Sequence, residues 1–432
     1  MQLYSDLENY HDKGRQEETY MTDVIIIGGG ASGMVAAIQA AHLGVSVCIL
    51  EKKDRVGRKL LTTGNGRCNL SNRDLDFEHY HGSVSKLLPK LWKRMDAARV
   101  EDFWRELGID YTEGENGKLY PRSLQAGSVV NALRRKIEEL GVEVRTETPV
   151  KEIRRVHQGY LVLTPQETFQ TKTVILCAGG KAYPKLGADG EGAKLAKSLK
   201  MQVNPLRPAL CRLNLDFPYL KRLSGVKLTI PISLWWEGQC QQEEEGEVLF
   251  TDTGISGPPV LNLSRMAGKG FSEGKESEVK LDLVPEMERG ELFAYMTERM
   301  KRLSAWNVEE ALEGWLPKKM VPVILLLAEV DRLQTAGSLN KRQIGAICRV
   351  LKEMTAPVSG LAGWEEAQIT VGGIAEREVT ERLESRKHKG LFMAGEVLDL
   401  DGDCGGYNLQ WAVGSALVAA EEAVRFVQVN YE

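Results

Sequence analysis

An α/β fold interrupted by a second, inserted domain is what this sequence predicts, on three observations. The first is the stretch Asp23 to Glu51, DVIIIGGGASGMVAAIQAAHLGVSVCILE. An apolar run, Val24 to Ile27, meets Gly28-x-Gly30-x-x-Gly33; a small-residue helix follows, then a second apolar run, Val45 to Leu50, ending on Glu51. The second is the return of that pattern downstream. Thr173 to Cys177 stops at Ala178-Gly179-Gly180, and Leu391 to Ala394 stops at Gly395-Glu396. The third is a change of character between about residues 201 and 364, where alternating strand patterns give way to helical spacing. The simplest organisation is a first part at 21–200, an insertion at 201–364 and a second part at 365–432.

The Asp23–Glu51 stretch reads as strand, glycine turn, helix, strand and acid, the βαβ unit that holds an ADP moiety. Gly28 permits the tight turn, and Gly30, without a Cβ, lets a pyrophosphate approach the backbone. Gly33 lets the helix pack close to the strand. The helix N-terminus offers unpaired N–H groups and the positive end of its dipole. Glu51 can accept hydrogen bonds from both ribose hydroxyls. An acid there disfavours a 2′-phosphate, so the site suits FAD or NAD rather than NADP.

The remaining elements follow in order. After Glu51 comes a loop rich in Gly, Asn and basic residues. Residues 87–108 read as largely helical, with Leu91, Met95, Phe103, Trp104 and Leu107 as core positions. Ser128 to Leu140 reads as an amphipathic helix ending at Gly141. Val142 to Val150 alternates like a strand, and Gly159–Leu163 with Thr168–Gln170 reads as a hairpin. Val226 to Trp236, VKLTIPISLWW, is a strand; a polar tip, Gly238 to Gly246, leads into Val248–Phe250. From Glu286 to about Met354 the pattern is helical. Ile369 to Gly373 returns to strand, and a last helix covers about Gln410 to Val424.

Composition sets limits. The 432 residues carry a net charge of −4, with 43% apolar and 27% charged residues, ordinary for a soluble globular protein. That balance argues against nucleic acid or anionic membrane as partners. The seven cysteines are scattered and include no C-x-x-C pair, which fits a reducing cytoplasm. His79 and His81 are the only close histidine pair and read as a solvated loop, so no metal site is expected. Residues 1–20 are polar and mixed in charge; they read as a disordered tail, or as residues ahead of a start at Met21, with no apolar signal-peptide core. The run Val321 to Ala328 is too short to span a bilayer.

Two loops add to the candidate site. Arg58-Lys59 follows the acid closely and can neutralise a pyrophosphate. Thr63-Gly64-Asn65-Gly66-Arg67-Cys68-Asn69 offers backbone, amide and guanidinium donors. At the other end of the chain, Glu396 stands at the carboxyl end of a buried strand, where ligands of α/β sheets bind. Gly405-Gly406 allows close backbone approach, and a helix begins near Asn408, its N–H groups placed to stabilise negative charge.

TGNGRCNLSN, FTDTGISGPPVL, QITVGGI and AGEVLDLDGDCGGYNLQWAVGSA together resemble the BaiN/YhiN-like family of bacterial NAD(P)/FAD-dependent oxidoreductases. That family, also labelled aminoacetone oxidase family FAD-binding, belongs to the two-dinucleotide-fold flavoproteins. The resemblance covers residues 21–425. It implies a Rossmann-like FAD-binding domain interrupted by an insert with a β-barrel-like part and a helical part. It implies FAD contacts at Gly28, Gly30, Ala31, Ser32, Gly33, Glu51, Lys52, Arg58, Lys59, Gly64, Asn65, Arg67 and Cys68, with adenine at Val150. Ala178, Gly179, Gly395, Glu396, Asn408, Leu409 and Gln410 complete the carried-over set. Related flavoproteins often have Asp where Glu396 stands.

The activity implied by the resemblance is reduction of an activated C=C bond of a small organic substrate, such as a 3-oxo-Δ4,6 bile-acid-like enone, with NADH or NADPH as electron source. A hydride would pass from the flavin to the β-carbon and a proton to the α-carbon, which needs an acid near the flavin. Tyr407, Asp403 and Cys404 are candidates by position; Tyr183 and Asp252 are weaker ones. An amine or alcohol oxidase, an RNA-acting flavoprotein and a redox-inactive FAD-binding protein are the alternatives. No second strand-linked GxGxxG and no cysteine pair are present, so a disulfide reductase is rejected.

Overall fold

The apolar run ahead of Gly28 becomes the strand Tyr20–Ile27, with Val47–Leu50 parallel beside it. From Val24 to Ile27 every side chain is buried, the pattern of a parallel strand covered on both faces. The computed structural model describes residues 20–431, so the tail expected at residues 1–20 lies outside the described residues except for Tyr20. The sheet continues in parallel through Glu143–Arg145 on one side and Thr168–Leu176 on the other. Thr168–Leu176 pairs twice. Its first half forms an antiparallel hairpin with Gly159–Leu163, which in turn pairs with Glu152–Val156. Its second half runs parallel to Leu391–Met393, which brings the C-terminal turn back beside the first glycine turn. The helix Ala31–His42 packs along the C-terminal helix Tyr407–Tyr431.

Between these parts lies a closed six-stranded antiparallel barrel. Around the barrel the strands run Leu213–Leu215, Gly254–Ser256, Gln239–Phe250, Lys227–Trp236, Ser277–Leu281 and Met354–Leu361. Alternation decides which side chains face inward: Ile230, Ile232, Leu234 and Trp236 are buried, while Trp235 turns outward under Lys280. The helix Pro258–Ser272 closes over the barrel through Val260, Leu263 and Ala267. Four further helices, Arg289–Arg302, Val308–Glu313, Val321–Leu327 and Lys341–Lys352, share that core. Three of them start at capping boxes, led by Glu288, Asn307 and Asn340. Among the described residues no helix is long and apolar enough to cross a membrane.

Three sequence expectations change. The polar stretch Gly238 to Gly246 is not a tip; the turn is at Glu237-Gly238, and the strand Gln239–Phe250 runs through the acidic residues. Residues 87–108 are helical only in pieces, since Met95 and Asp96 leave the helix and Asp96 caps the next one, Ala97–Glu106. The strand expected at Val142 to Val150 ends at Arg145. Glu147 adopts φ 53°, and the backbone N–H groups of Glu147 and Thr148 donate to Lys53 and Glu51 carbonyls at 2.9 Å. This detour carries Val150 to the end of the βαβ unit.

Candidate active site

One cavity of about 1630 Å³ runs from the glycine turn to the barrel. That exceeds the roughly 300–1000 Å³ of a pocket for one small ligand, and leaves room for a cofactor and a substrate.

At the first end, the three glycines divide the work. Gly28 has φ 103°, and its N–H donates to Leu50 O at 2.9 Å. A Cβ on Gly33 would sit 1.8 Å from Gly28 O, so helix and turn touch there. A Cβ on Gly30 would meet no atom of the described residues within 4 Å; its open side is the cavity. The helix begins at Gly30 without any side-chain cap, so the N–H groups of its first turn remain for a ligand. Glu51 also borders the cavity; its carboxylate accepts from Gly29 N at 2.7 Å and Lys53 N at 2.8 Å, which fixes it in place.

The cations around this end are held rather than loose. Lys52 pairs with Asp189 at 2.5 Å and Glu191 at 3.2 Å, and Arg58 with Asp54 at 2.8 Å. Lys59 pairs with Glu396 at 2.7 Å. Arg67 lies over the Tyr120 ring, 5.0 Å from its centroid. Asn69 Oδ1 is buried with no hydrogen-bond partner among the described residues and borders the same space.

Of the residues named from sequence, Gly28, Gly30, Ala31, Ser32, Glu51, Lys52, Arg58, Lys59, Gly64, Asn65 and Arg67 line the cavity. So do Val150, Ala178, Gly179, Glu396, Asn408 and Leu409. Four do not. Gly33 is the helix–turn contact. Cys68 is fully buried, and burial pushes its thiol up to about 12. Gly395 spends its backbone inside the protein: its N–H donates to Ser415 Oγ at 3.0 Å and its carbonyl accepts from Trp411 Nε1 at 3.2 Å. Gln410 faces the core, where it accepts from Ser71 Oγ at 2.8 Å and donates to Met95 O at 3.2 Å. The Asn408 side chain reaches Gly402 on both sides, accepting from its N–H at 2.9 Å and donating to its carbonyl at 2.7 Å. It holds the Asp403–Gly406 turn in shape.

The proton-donor candidates separate in the same way. Tyr407 does not line the cavity; its ring is buried and stacks on His79 with centroids 4.4 Å apart. Burial, with Asp74 and Asp403 nearby, pushes its phenol well above the ordinary range. Asp252 is also absent from the lining, whereas Tyr183 and Cys404 are present. Burial pushes the Cys404 thiol up, with Lys118 opposing, so the thiol keeps its proton. Asp403 lines the cavity, but not as a free acid. Burial works to raise it; hydrogen bonds from His81 and His79, with the charge of Arg265, outweigh that and hold it below its ordinary value. His79 and His81, expected in a solvated loop, are half-buried clamps on Asp403. Among the described residues no cluster of His, Cys, Asp or Glu could hold a metal ion.

An uncapped helix N-terminus, a fixed acid, a basic rim and a second strand-to-turn junction around one cavity fit FAD. Together with the barrel they define a flavoprotein oxidoreductase of the Rossmann FAD-binding class. The HI0933-like protein Rossmann domain model matches residues 22–422, and the chain belongs to that family. It is 36% identical over 406 residues to the 3-dehydro-bile acid delta(4,6)-reductase of Clostridium scindens, covering 93% of this chain and 99% of that one. It is 28% identical over 407 residues to the ribosomal RNA dihydrouridine synthase of Haemophilus influenzae, covering 92% of this chain and 97% of that one. Among solved structures, the 3-ketosteroid delta1-dehydrogenase from Sterolibacterium denitrificans, in complex with 1,4-androstadiene-3,17-dione, aligns with 94% of this chain and 100% of its own, at TM-score 0.50 and 12% identity. That last likeness is one of fold alone.

Proposed function

We propose that the protein reduces C=C bonds conjugated to a carbonyl in a small organic substrate, using bound FAD and electrons from NADH or NADPH. The observation that carries this reading is the charge profile of the cavity. Around the glycine turn the lining cations are Lys52, Arg55, Arg58, Lys59 and Arg67, which suits a diphosphate. At the barrel end, acids at Glu245, Glu247 and Glu366 outnumber the cations Arg212 and Lys227. Two of these acids are already paired, Glu366 with Arg212 at 3.0 Å and Glu247 with Lys227 at 2.9 Å, so this end offers a phosphodiester no surplus of cations and leaves room for a ring system of low charge.

FAD supplies the hydride chemistry. The chain's part is to hold the cofactor and to keep substrate beside it: Glu51 would hold the ribose, the first turn of Ala31–His42 and Lys59 would hold the diphosphate, and the barrel would close the far side. The name of the 36% identical relative makes a 3-oxo-Δ4,6 bile-acid-like enone the first substrate to try.

A second reading has one observation in its favour, the similarity to a ribosomal RNA dihydrouridine synthase along 97% of that protein. Forming dihydrouridine also saturates a C=C bond conjugated to a carbonyl. The acids at the barrel end weigh against RNA, because binding it rests on neutralising phosphates.

The test is anaerobic. FAD-loaded protein mixed with NADH or NADPH should bleach, and an enone should restore the yellow colour while losing its C=C bond. Colour that persists with both nucleotides removes the proposed electron source. Recovery only with air, after bleaching by an amine, supports an oxidase instead. Dihydrouridine formed in undermodified ribosomal RNA, with no enone consumed, overturns the small-molecule reading.

A further inference from the structure

Saturating a C=C bond consumes one solvent proton per turnover, and Asp403, held ionised, has none of its own to give. Its neighbours supply a route. The strands Tyr80–His81 and Asp401–Gly402 pair antiparallel, and Asp403 N donates to His79 O at 3.0 Å. That register points two imidazoles at one carboxylate. His79 Nδ1 lies 3.1 Å from Asp403 Oδ2, and His81 Nε2 lies 2.8 Å from Oδ1. The other nitrogen of His79, Nε2, lies 3.2 Å from Asp74 Oδ2. A ring with a carboxylate oxygen on each nitrogen satisfies both only when both nitrogens carry hydrogen, so this geometry favours the imidazolium form of His79. Burial pulls His79 down, but Asp403 and Asp74 outweigh it and hold the ring above its ordinary value.

The three groups also grade from outside to inside. The side chain of Asp74 is 71% exposed, that of His79 29%, and that of Asp403 22% and on the cavity wall. Tyr407 stacks on the His79 ring, and Arg265 lies 3.9 Å from Asp403 Oδ1. His81, the buried Asp401, which shares Arg265, and the Cys404 thiol also face the pair.

We propose that Asp74, His79 and Asp403 form a proton path from solvent to substrate, with His79 as its store. The proposal rests on the reductase reading above. As a hydride bonds to the β-carbon, the π pair of the C=C bond moves to the α-carbon. His79 Nδ1 first passes its proton to Asp403 Oδ2, and Asp403 then passes that same proton to the α-carbon. The neutral ring then regains a proton from solvent, which reaches both the ring and Asp74. One hydride and one solvent proton are consumed, and the protein is unchanged. Asp403, on the cavity wall, is the group of this path that would meet the substrate; His79 and Asp74 act through it and are positioning residues.

The first test needs neither substrate nor cofactor turnover. An NMR titration of the imidazole signals should show His79 still protonated above pH 6.5 and titrating lower in Asp403→Asn. Titration at or below the ordinary value in the wild type overturns the path. The second follows reoxidation of pre-reduced enzyme by an enone. His79→Gln, checked for full FAD occupancy, should slow it at least tenfold and flatten its pH profile; Asp74→Asn, at an exposed position, should slow it less. Free imidazole should restore part of the rate to His79→Ala. A wild-type rate in His79→Gln overturns the path. Wild-type enzyme that no enone reoxidises removes the reductase reading instead, and with it the use of the path, a failure told apart by the intact His79 titration.

Discussion

Lys59 Nζ and Glu396 Oε2 lie 2.7 Å apart although 337 positions separate them in sequence. The other oxygen of Glu396 accepts from Thr370 N at 2.7 Å. One carboxylate therefore joins the loop after the βαβ unit, the strand Ile369–Ile374 and the C-terminal turn, all at the cavity wall. Its side chain is 22% exposed and that of Lys59 24%, so solvent screens part of the attraction. Glu396→Ala leaves Lys59 unpaired and the Thr370 N–H without its acceptor. FAD affinity should fall about tenfold, on the order of 1.4 kcal/mol. Glu396→Gln keeps an acceptor for Thr370 and should lose less. Fluorescence titration of FAD into cofactor-free protein measures both, and an unchanged affinity in Glu396→Ala would detach the pair from cofactor binding.

The glycines at 30 and 33 should fail differently. A methyl group on Gly33 would sit 1.8 Å from a backbone oxygen, so Gly33→Ala must push helix and turn apart. A methyl group on Gly30 would meet no atom of the described residues within 4 Å. Gly30→Ala should melt, without cofactor, within a degree or two of wild type yet take up FAD poorly. Gly33→Ala should melt lower and also lose FAD. Comparable melting losses in both would mean that Gly30 serves the turn rather than the ligand.

The parts legible in the sequence are those whose cause is local. Strand, turn, helix and acid from Asp23 to Glu51 lie in one continuous stretch, and each residue's role follows from its neighbours. Barrel alternation in VKLTIPISLWW is equally local. What stayed hidden depends on partners far along the chain. His81 meets Asp403 across 322 positions, and nothing in the sequence around either pairs their strands. Gln410 and Leu409 are adjacent, yet Leu409 lines the cavity and Gln410 faces Ser71 and Met95. Only the rotation of the helix decides between them. The barrel closes through Leu213–Leu215, a strand too short to announce itself.

Tyr407 offers a direct check on the proton-donor assignment. Its ring packs against His79 and Tyr80 away from the cavity lining. Tyr407→Phe keeps that packing and removes only the hydroxyl. Turnover with an enone should change by less than about twofold, well under the 10²-fold or greater loss expected for removing a general acid. Tyr407→Ala removes a buried ring and should cost on the order of 3–5 kcal/mol of stability. A large activity loss in the phenylalanine variant would return Tyr407 to the reaction.

Asp401 makes stability depend on pH. Its side chain is almost fully buried, neither carboxylate oxygen has a hydrogen-bond partner among the described residues, and Arg265 Nε lies 3.4 Å away. Burial raises it to about 6, with Arg265 and His81 pulling the other way. An unfolded aspartate titrates near 3.9, so the folded state binds this proton more tightly. The resulting stabilisation is full below about pH 4 and is lost as pH rises through about 6. Above that, keeping the ionised group buried costs on the order of 1–3 kcal/mol relative to the protonated form. Asp401→Asn keeps the shape without the charge and should gain most at alkaline pH. Its melting temperature, measured against wild type without cofactor, should exceed it clearly at pH 8, with the gap shrinking at pH 5. Other carboxylates titrate in both proteins, so the change in the gap isolates Asp401. A gap of the same size at both values would mean that Asp401 does not change protonation between them.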